Sequence, residues 1–442
     1  MHASLRPIVS LLLAVALLLV GNGLQFTLLP LRGSAEGFGS FALGVIASAY
    51  YVGFVSGCLL APYLILRAGH IRAFAAMVAV AAAVAVGYAL APETFAWTFM
   101  RLINGFCLAG FYLVIESWLN DGASNENRGL VMSFYVAVNL AALTVGQMLV
   151  TVYPIGEGGG FMIAAMLTSL AIVPVALTRS AQPAPITIVT FRPVQLYQLA
   201  PVALVASFMV GVTNGAFWGL APLSAAGSGL DVNGVALFMS IAVAAGALSQ
   251  WPLGRLSDRV DRRLVLLALL IGAAITGILL WMVAASKPLL LVFGFLFGAL
   301  ALPAYSLAAA HGYDKAHGSD MVATAATILL ANAIGSVVGP LAASAVMSGV
   351  GPRGLFLFTA AVHALLAGYV FYRTRVQAQT PVPEKTEFDL ATTAPVGTVV
   401  QSEPLDPTDP SVAVPEDFVP PPADNDGTDV ARVPEEQASR EP

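Results

Sequence analysis

The chain reads as an all-α membrane protein of twelve transmembrane helices, arranged as two pseudo-symmetric six-helix bundles. Three observations predict this: a composition too apolar for water, twelve apolar runs long enough to cross a bilayer, and a residue pattern that recurs at a nearly constant interval. Of 442 residues, 58% are hydrophobic and only 10% are charged, and the mean hydropathy is +0.82. A soluble protein of this length needs more charge to cover its surface, so lipid is the expected solvent for most of it.

The formal charge of −5 joins two unlike parts. Residues 376–442 carry 14 acids against 3 bases, while the rest carries 11 acids against 17 bases. That final stretch also holds twelve of the 28 prolines and few aromatics. It lacks the apolar surface to fold and is expected to be a disordered, acidic, Pro-rich cytoplasmic tail. Cys58 and Cys107 both lie inside apolar runs and read as packing residues. Arg6 followed by an apolar run resembles a signal peptide, but no small-x-small cleavage site follows, and the segment reads as an uncleaved first helix.

A span needs about 20 apolar residues to cross the hydrocarbon core. The first-half runs are 8–30, 40–66, 73–91, 94–118, 129–151 and 159–177; the second-half runs are 198–222, 233–256, 264–285, 288–310, 320–346 and 352–372. This gives an N-terminal bundle over 1–178, a linker over 179–197 and a C-terminal bundle over 198–375. With both termini in the cytoplasm, thirteen bases fall on the inner side and three (Arg32, Lys287, Arg353) on the outer side. That asymmetry is a positive-inside signal.

The halves repeat. Asn22-Gly23 with Pro30-Leu31 recurs as Asn214-Gly215 with Pro222-Leu223, and Arg67 recurs as Arg259, each 192 residues on. Gly105 and Tyr112 match Gly298 and Tyr305, and Asn139 and Gly146 match Asn332 and Gly339, each 193 residues on. One match is weak because Gly and Pro are common in membrane helices. A nearly constant offset across spans 1, 2, 4 and 5 indicates duplication, and an even number of spans per copy gives the copies parallel topology.

Between spans 8 and 9 the chain runs Gly254-Arg255-Leu256-Ser257-Asp258-Arg259-Val260-Asp261-Arg262-Arg263. This resembles the signature loop of the major facilitator superfamily, with Asp261 where that family usually has Gly. The first-half equivalent is degraded: Leu66 replaces the Asp, while Arg67, Gly69 and Arg72 remain. Arg101, Asn104 and Gly105 in span 4 resemble the family's second signature. Ile115-Glu116-Ser117, Asn127-Arg128-Gly129 and Gln250-Trp251-Pro252-Leu253-Gly254-Arg255 resemble the YcaD-type branch of bacterial transporters. The resemblance covers residues 1 to about 375. It implies a two-bundle fold with alternating access in a bacterial inner membrane, and supplies no substrate.

The scarce polar residues of the spans are the candidate site. Asn22, Gln25, Arg101, Asn104, Asn214 and Trp218 are the candidate substrate pathway. Arg101 lies about 7 residues, roughly 10 Å, below the outer end of its span. A charge at that depth is expected to face protein or a wet cavity. It either recognises an anionic or hydrogen-bonding solute, controls a proton step, or forms a structural pair. Glu116, Arg128, Gly254, Asp258, Arg259, Arg262, Arg263 and Arg67 are the candidate cytoplasmic gate, in which Asp258 caps a neighbouring helix, expected to be the start of span 5, and Arg259 and Arg262 pair with carboxylates. Glu116 has proton coupling as its second reading. Asn139, Gly146, Asn332, Gly335, Gly339 and Pro340 read as helix packing or bending. His311 and His317 read as solvated interfacial residues, and His363 as packing.

No phosphate-binding loop, nucleophile, cofactor fingerprint or metal-ligand spacing stands out, which argues against an enzyme or an ATP-driven pump. The expectation is a monomeric secondary transporter moving a small solute by alternating access, with protons as candidate coupling ion and no nucleic-acid partner. The alternative is a non-transporting receptor or assembly protein that uses its tail as a docking arm.

Overall fold

The computed structural model describes residues 6–123, 128–177, 191–316, 320–376 and 388. Among these the helices are α1 (Arg6–Ala35), α2 (Ser40–Ala68), α3 (His70–Leu90), α4 (Thr94–Gly122), α5 (Arg128–Met148), α6 (Gly159–Leu170), α7 (Ile172–Ala176) and α8 (Pro193–Leu199). They continue as α9 (Pro201–Gly227), α10 (Val232–Arg259), α11 (Arg262–Met282), α12 (Lys287–Ala301), α13 (Ala304–Tyr313), α14 (Asp320–Val350) and α15 (Gly354–Val376). They make twelve segments long and apolar enough to span a membrane, with α6–α7 and α12–α13 each forming one span. Residues 178–190, the tail after 376 apart from Phe388, His317, and the side chains of Arg6 and Arg128 lie outside the described residues. The expected disorder of the tail and most of the expected linker fall there.

Span 10 departs from a continuous helix, and its break has a chemical cause. Pro303 has no N–H and leaves the carbonyl of Ala299 without its helical partner. Ser249 of α10 donates its hydroxyl to that carbonyl at 2.9 Å. The neighbouring helix thus satisfies what the proline releases.

The duplication is visible in how the helices pack. A Cβ on Gly105 would overlap the Tyr50 carbonyl, and a Cβ on Gly298 would overlap that of Ala242. A Cβ on Gly146 would overlap the Val20 carbonyl, and one on Gly339 that of Val212. Each contact in the first half has its counterpart at the repeat offset in the second. Without a hydrophobic drive between helices in lipid, such small-residue contacts let backbones approach and gain dispersion. Asn332 adds a hydrogen bond from Nδ2 to the Ser207 carbonyl at 3.0 Å, and a Cβ on Gly335 would meet the Phe208 carbonyl. Both tie α14 to α9. Asn139 is buried on α5, one turn from Tyr135.

The two halves meet on the arginine-poor side, where α2, α10 and α12 begin. Ser48 Oγ donates to the Val337 carbonyl at 2.8 Å, Ser240 Oγ reaches the Thr144 carbonyl at 3.4 Å, and a Cβ on Gly44 would overlap Ser344. One buried apolar cluster there draws on both halves, including Leu43, Ile46, Leu220 and Met347. On the arginine-rich side the buried clusters each belong to one half. The structure is shut on the arginine-poor side.

Candidate functional site

Below that seal lies a cavity of about 250 Å³ between the halves. Asn22 and Phe26 of α1, Tyr50, Tyr51 and Phe54 of α2, Leu108 and Tyr112 of α4, and Leu143 of α5 line one wall. Asn214 and Trp218 of α9, Tyr305 of α13, and Leu329, Asn332, Ala333 and Ser336 of α14 line the other. Phe26 and Trp218, equivalent at the repeat offset, meet with ring centroids 5.8 Å apart. They also border a second pocket of only about 20 Å³, lined further by Pro30, Leu43 and Arg101. The aromatic pair therefore stands between the main cavity and the sealed side.

Of the six residues expected along the pathway, Asn22, Asn214 and Trp218 line the cavity. Gln25 does not: successive helical residues point 100° apart, and its neighbour Phe26 takes the cavity-facing position, leaving Gln25 buried at 2% exposure. Arg101 and Asn104 also stand outside the cavity, behind its aromatic end. The Arg101 guanidinium lies 4.8 Å from the Phe26 ring centroid and 4.2 Å from that of Tyr50, and Nη1 donates to Asn104 Oδ1 at 3.3 Å. At 4% exposure, and with no carboxylate paired to it among the described residues, the cation is held by ring quadrupoles. Such contacts are worth about 2 kcal/mol or more when desolvated.

The sequence reading missed Tyr50, Tyr51, Phe54 and Phe26. Tyr112 and Tyr305 carried a signal, since a phenol kept at both copies of a lipid-embedded helix needs a reason. They appear above as evidence of duplication, and both line the cavity.

The expected gate divides into two clusters. Glu116 is fully buried and accepts a hydrogen bond from the Tyr135 hydroxyl at 2.8 Å, inside the N-terminal half. Arg128, its expected partner, has no described side chain. In the loop between α10 and α11, Arg262 Nε donates to Asp314 Oδ2 at 2.8 Å, Nη1 to Ser257 Oγ at 3.0 Å, and Nη2 pairs with Asp258 at 3.1 Å. These bonds fasten α10, α11 and the end of α13 together within one half. The described ion pairs of the loop thus run inside its own bundle, where the start of span 5 was expected. Arg259 and Arg67 are exposed and make no ion pair among the described residues. Gly254 lies against the Phe388 ring, and the Phe388 N–H donates to Asp258 Oδ1 at 3.1 Å. His311, expected to be solvated, is buried at the end of α13.

Asp261, the departure from the family's Gly, has a structural role. It caps α11, accepting from the Arg263 N–H at 2.9 Å and from Arg263 Nη2 at 2.8 Å. Burial acts to raise its pKa, but the bonds from the Arg263 side chain and backbone win and hold the carboxyl below its usual value.

Twelve spans fall into two related bundles with a cavity between them whose described lining is uncharged, the architecture of two-bundle membrane proteins. Residues 203–417 match the model of the Major Facilitator Superfamily. A YcaD protein of Escherichia coli O7:K1, described as an uncharacterized MFS-type transporter, is 29% identical over 382 residues, covering 86% of this chain and 98% of its own length. The chain is thus similar to the major facilitator superfamily and to its YcaD-type branch. The nucleoside transporter NupG superposes with a TM-score of 0.68 at 15% identity, over 84% of this chain and 99% of NupG. A bacterial homologue of the human lysosomal transporter Spinster, inward-facing and unoccupied, superposes with a TM-score of 0.67 at 13% identity, over 87% of this chain and 99% of that one. These two structures speak to the fold alone.

Proposed function

We propose that the protein is a secondary transporter that moves a small solute across the inner membrane by alternating access, with both termini in the cytoplasm. The observation that carries this is the mid-depth cavity between the bundles, shut on the arginine-poor side by contacts between the two halves. The excess of bases supports placing the arginine-rich face inward, and in that orientation the cavity is open to the inside. Rocking the bundles to break the Ser48–Val337 and Ser240–Thr144 contacts would expose the same cavity to the other side.

Ala333 lies on the cavity wall and is nearly fully buried, so Ala333→Trp fills the space. In proteoliposomes screened with a panel of labelled metabolites, the parent protein is expected to exchange at least one solute above protein-free vesicles. The filled variant, folded and monodisperse, is expected to lose that exchange. Equal exchange by the two proteins would remove the cavity from the pathway, and no exchange of any solute by the parent would sink the transporter reading.

For proton coupling, the second reading of Glu116, its position one helical turn from cavity-lining Tyr112 makes it the candidate carboxylate. Glu116→Gln is expected to keep solute exchange between equilibrated compartments and to lose accumulation driven by a pH gradient. If gradient-driven accumulation persists at parental level, Glu116 carries no coupling proton.

A further inference from the structure

The cavity's chemistry narrows the solute. We propose, resting on the transporter reading above, that the cavity takes an uncharged heteroaromatic solute bearing hydrogen-bond donors on its edge.

Charge is excluded first. The lining contains no Asp, Glu, Lys, Arg or His, so an ion would be stripped of water with no counter-charge to meet it. Arg101 is near enough to repel a cation. Yet it is walled off by the Phe26 and Tyr50 rings on which it stacks, so it cannot bond an anion inside the cavity. A net charge of either sign is therefore selected against.

Aromatic character follows from the walls. Tyr50, Tyr51, Phe54 and Tyr112 from one bundle face Trp218 and Tyr305 from the other across about 250 Å³. Rings bind rings by stacked and edge-to-face contacts that an aliphatic or sugar-like solute forgoes. The volume suits one or two fused rings with a short substituent.

The need for donors comes from the prolines. Pro30, Pro222 and Pro340 all stand inside helices. Each lacks an N–H and deprives the carbonyl four residues earlier of its helical partner. Those carbonyls belong to Phe26, Trp218 and Ser336; the Ser336 carbonyl is turned to Gly215 of α9, while Phe26 and Trp218 line the cavity from both halves. Asn332 commits its Nδ2 to the Ser207 carbonyl, which leaves its Oδ1 as a further acceptor. Beside these acceptors stand the Trp218 indole N–H, the amides of Asn22 and Asn214, and tyrosine hydroxyls that donate or accept, so a ring carrying donors on its edge, with acceptors among them, finds partners on both walls.

A matched series tests the class: indole-3-ethanol, indole-3-acetate and tryptamine share one ring and differ in charge, adenosine adds edge donors, and glucose is polar without an aromatic ring. Thermal shift of the full-length protein in detergent is expected to show stabilisation by indole-3-ethanol and adenosine. Apparent affinity should be at least tenfold weaker for the two charged indoles, with no shift from glucose. Asn214→Leu and Tyr112→Leu should each weaken adenosine at least fivefold while leaving the unliganded melting temperature in place. The class is overturned if a charged indole or glucose binds as well as indole-3-ethanol, or if no aromatic probe shifts the protein. Should glucose or a charged probe bind and be transported, with both lost in Ala333→Trp, the class fails while the transporter reading stands. Absence of any transport fails both.

Discussion

Asp314→Asn should be the most destabilising single change at the arginine-rich face. Arg262 and Asp314 each keep a side chain only 1% exposed, and the Nε–Oδ2 bond between them is 2.8 Å long. Neutralising the acid leaves a buried guanidinium short of its closest counter-charge, and breaking such pairs costs about 3–5 kcal/mol. Asp258 recovers part of this, since it also reaches Arg262 at 3.1 Å, but its side chain is 29% exposed and its attraction is screened. Asp258→Asn should therefore cost about 1 kcal/mol or less while lowering transport if the loop takes part in rocking. Replacing both buried partners, Arg262→Met with Asp314→Leu, should recover most of the lost stability, because the desolvated charge is gone along with its partner. Melting of the detergent-solubilised monomer distinguishes these variants. A melting temperature for Asp314→Asn within a degree of the parent would show that the triad does not hold α10, α11 and α13 together.

The sequence made some of this legible, and physical chemistry explains which parts. Lipid admits only helices and closed barrels, and a run of about 20 apolar residues fits only the helix, so the twelve spans could be read directly. The halves repeat at near-constant offset, so Asn22 with Asn214 and Tyr112 with Tyr305 could be paired before any coordinates. Phe26 and Trp218 sit at the same offset but differ in identity, so comparing residue types does not pair them, and Trp218 was named without Phe26. Tyr50 and Tyr51 were illegible for another reason: an aromatic in a membrane helix faces lipid, packing or a cavity with equal ease, and only the phase of α2 against α4 decides. Glu116 was placed near the interface because the apolar run ends at 118, whereas α4 continues to Gly122 and buries Glu116 completely. The Arg262–Asp314 pair joins residues 52 apart in sequence, and nothing local announces such a contact.

Trp218→Ala should open the sealed side. The Phe26–Trp218 pair lies between a cavity of about 250 Å³ and a pocket of about 20 Å³, and Arg101 braces Phe26 from the far face. Removing a packed indole costs about 3–5 kcal/mol. If about 1.4 kcal/mol of that falls on the closed state alone, the open population rises tenfold. Cysteine labelling reads this without knowledge of the solute. In a background of Cys58→Ala and Cys107→Ala, Asn22→Cys places one thiol on the cavity wall. A membrane-impermeant maleimide added from the arginine-poor side should label it at least ten times faster in Trp218→Ala than in the parent, and somewhat faster in Arg101→Met, which loosens Phe26 without removing the plug. Labelling from the arginine-rich side should change little, since the cavity is already reached from there. Equal rates from the arginine-poor side, with labelling from the other side intact, would mean that the seal is made by the Gly44–Ser344 approach above and that the aromatic pair serves the solute alone.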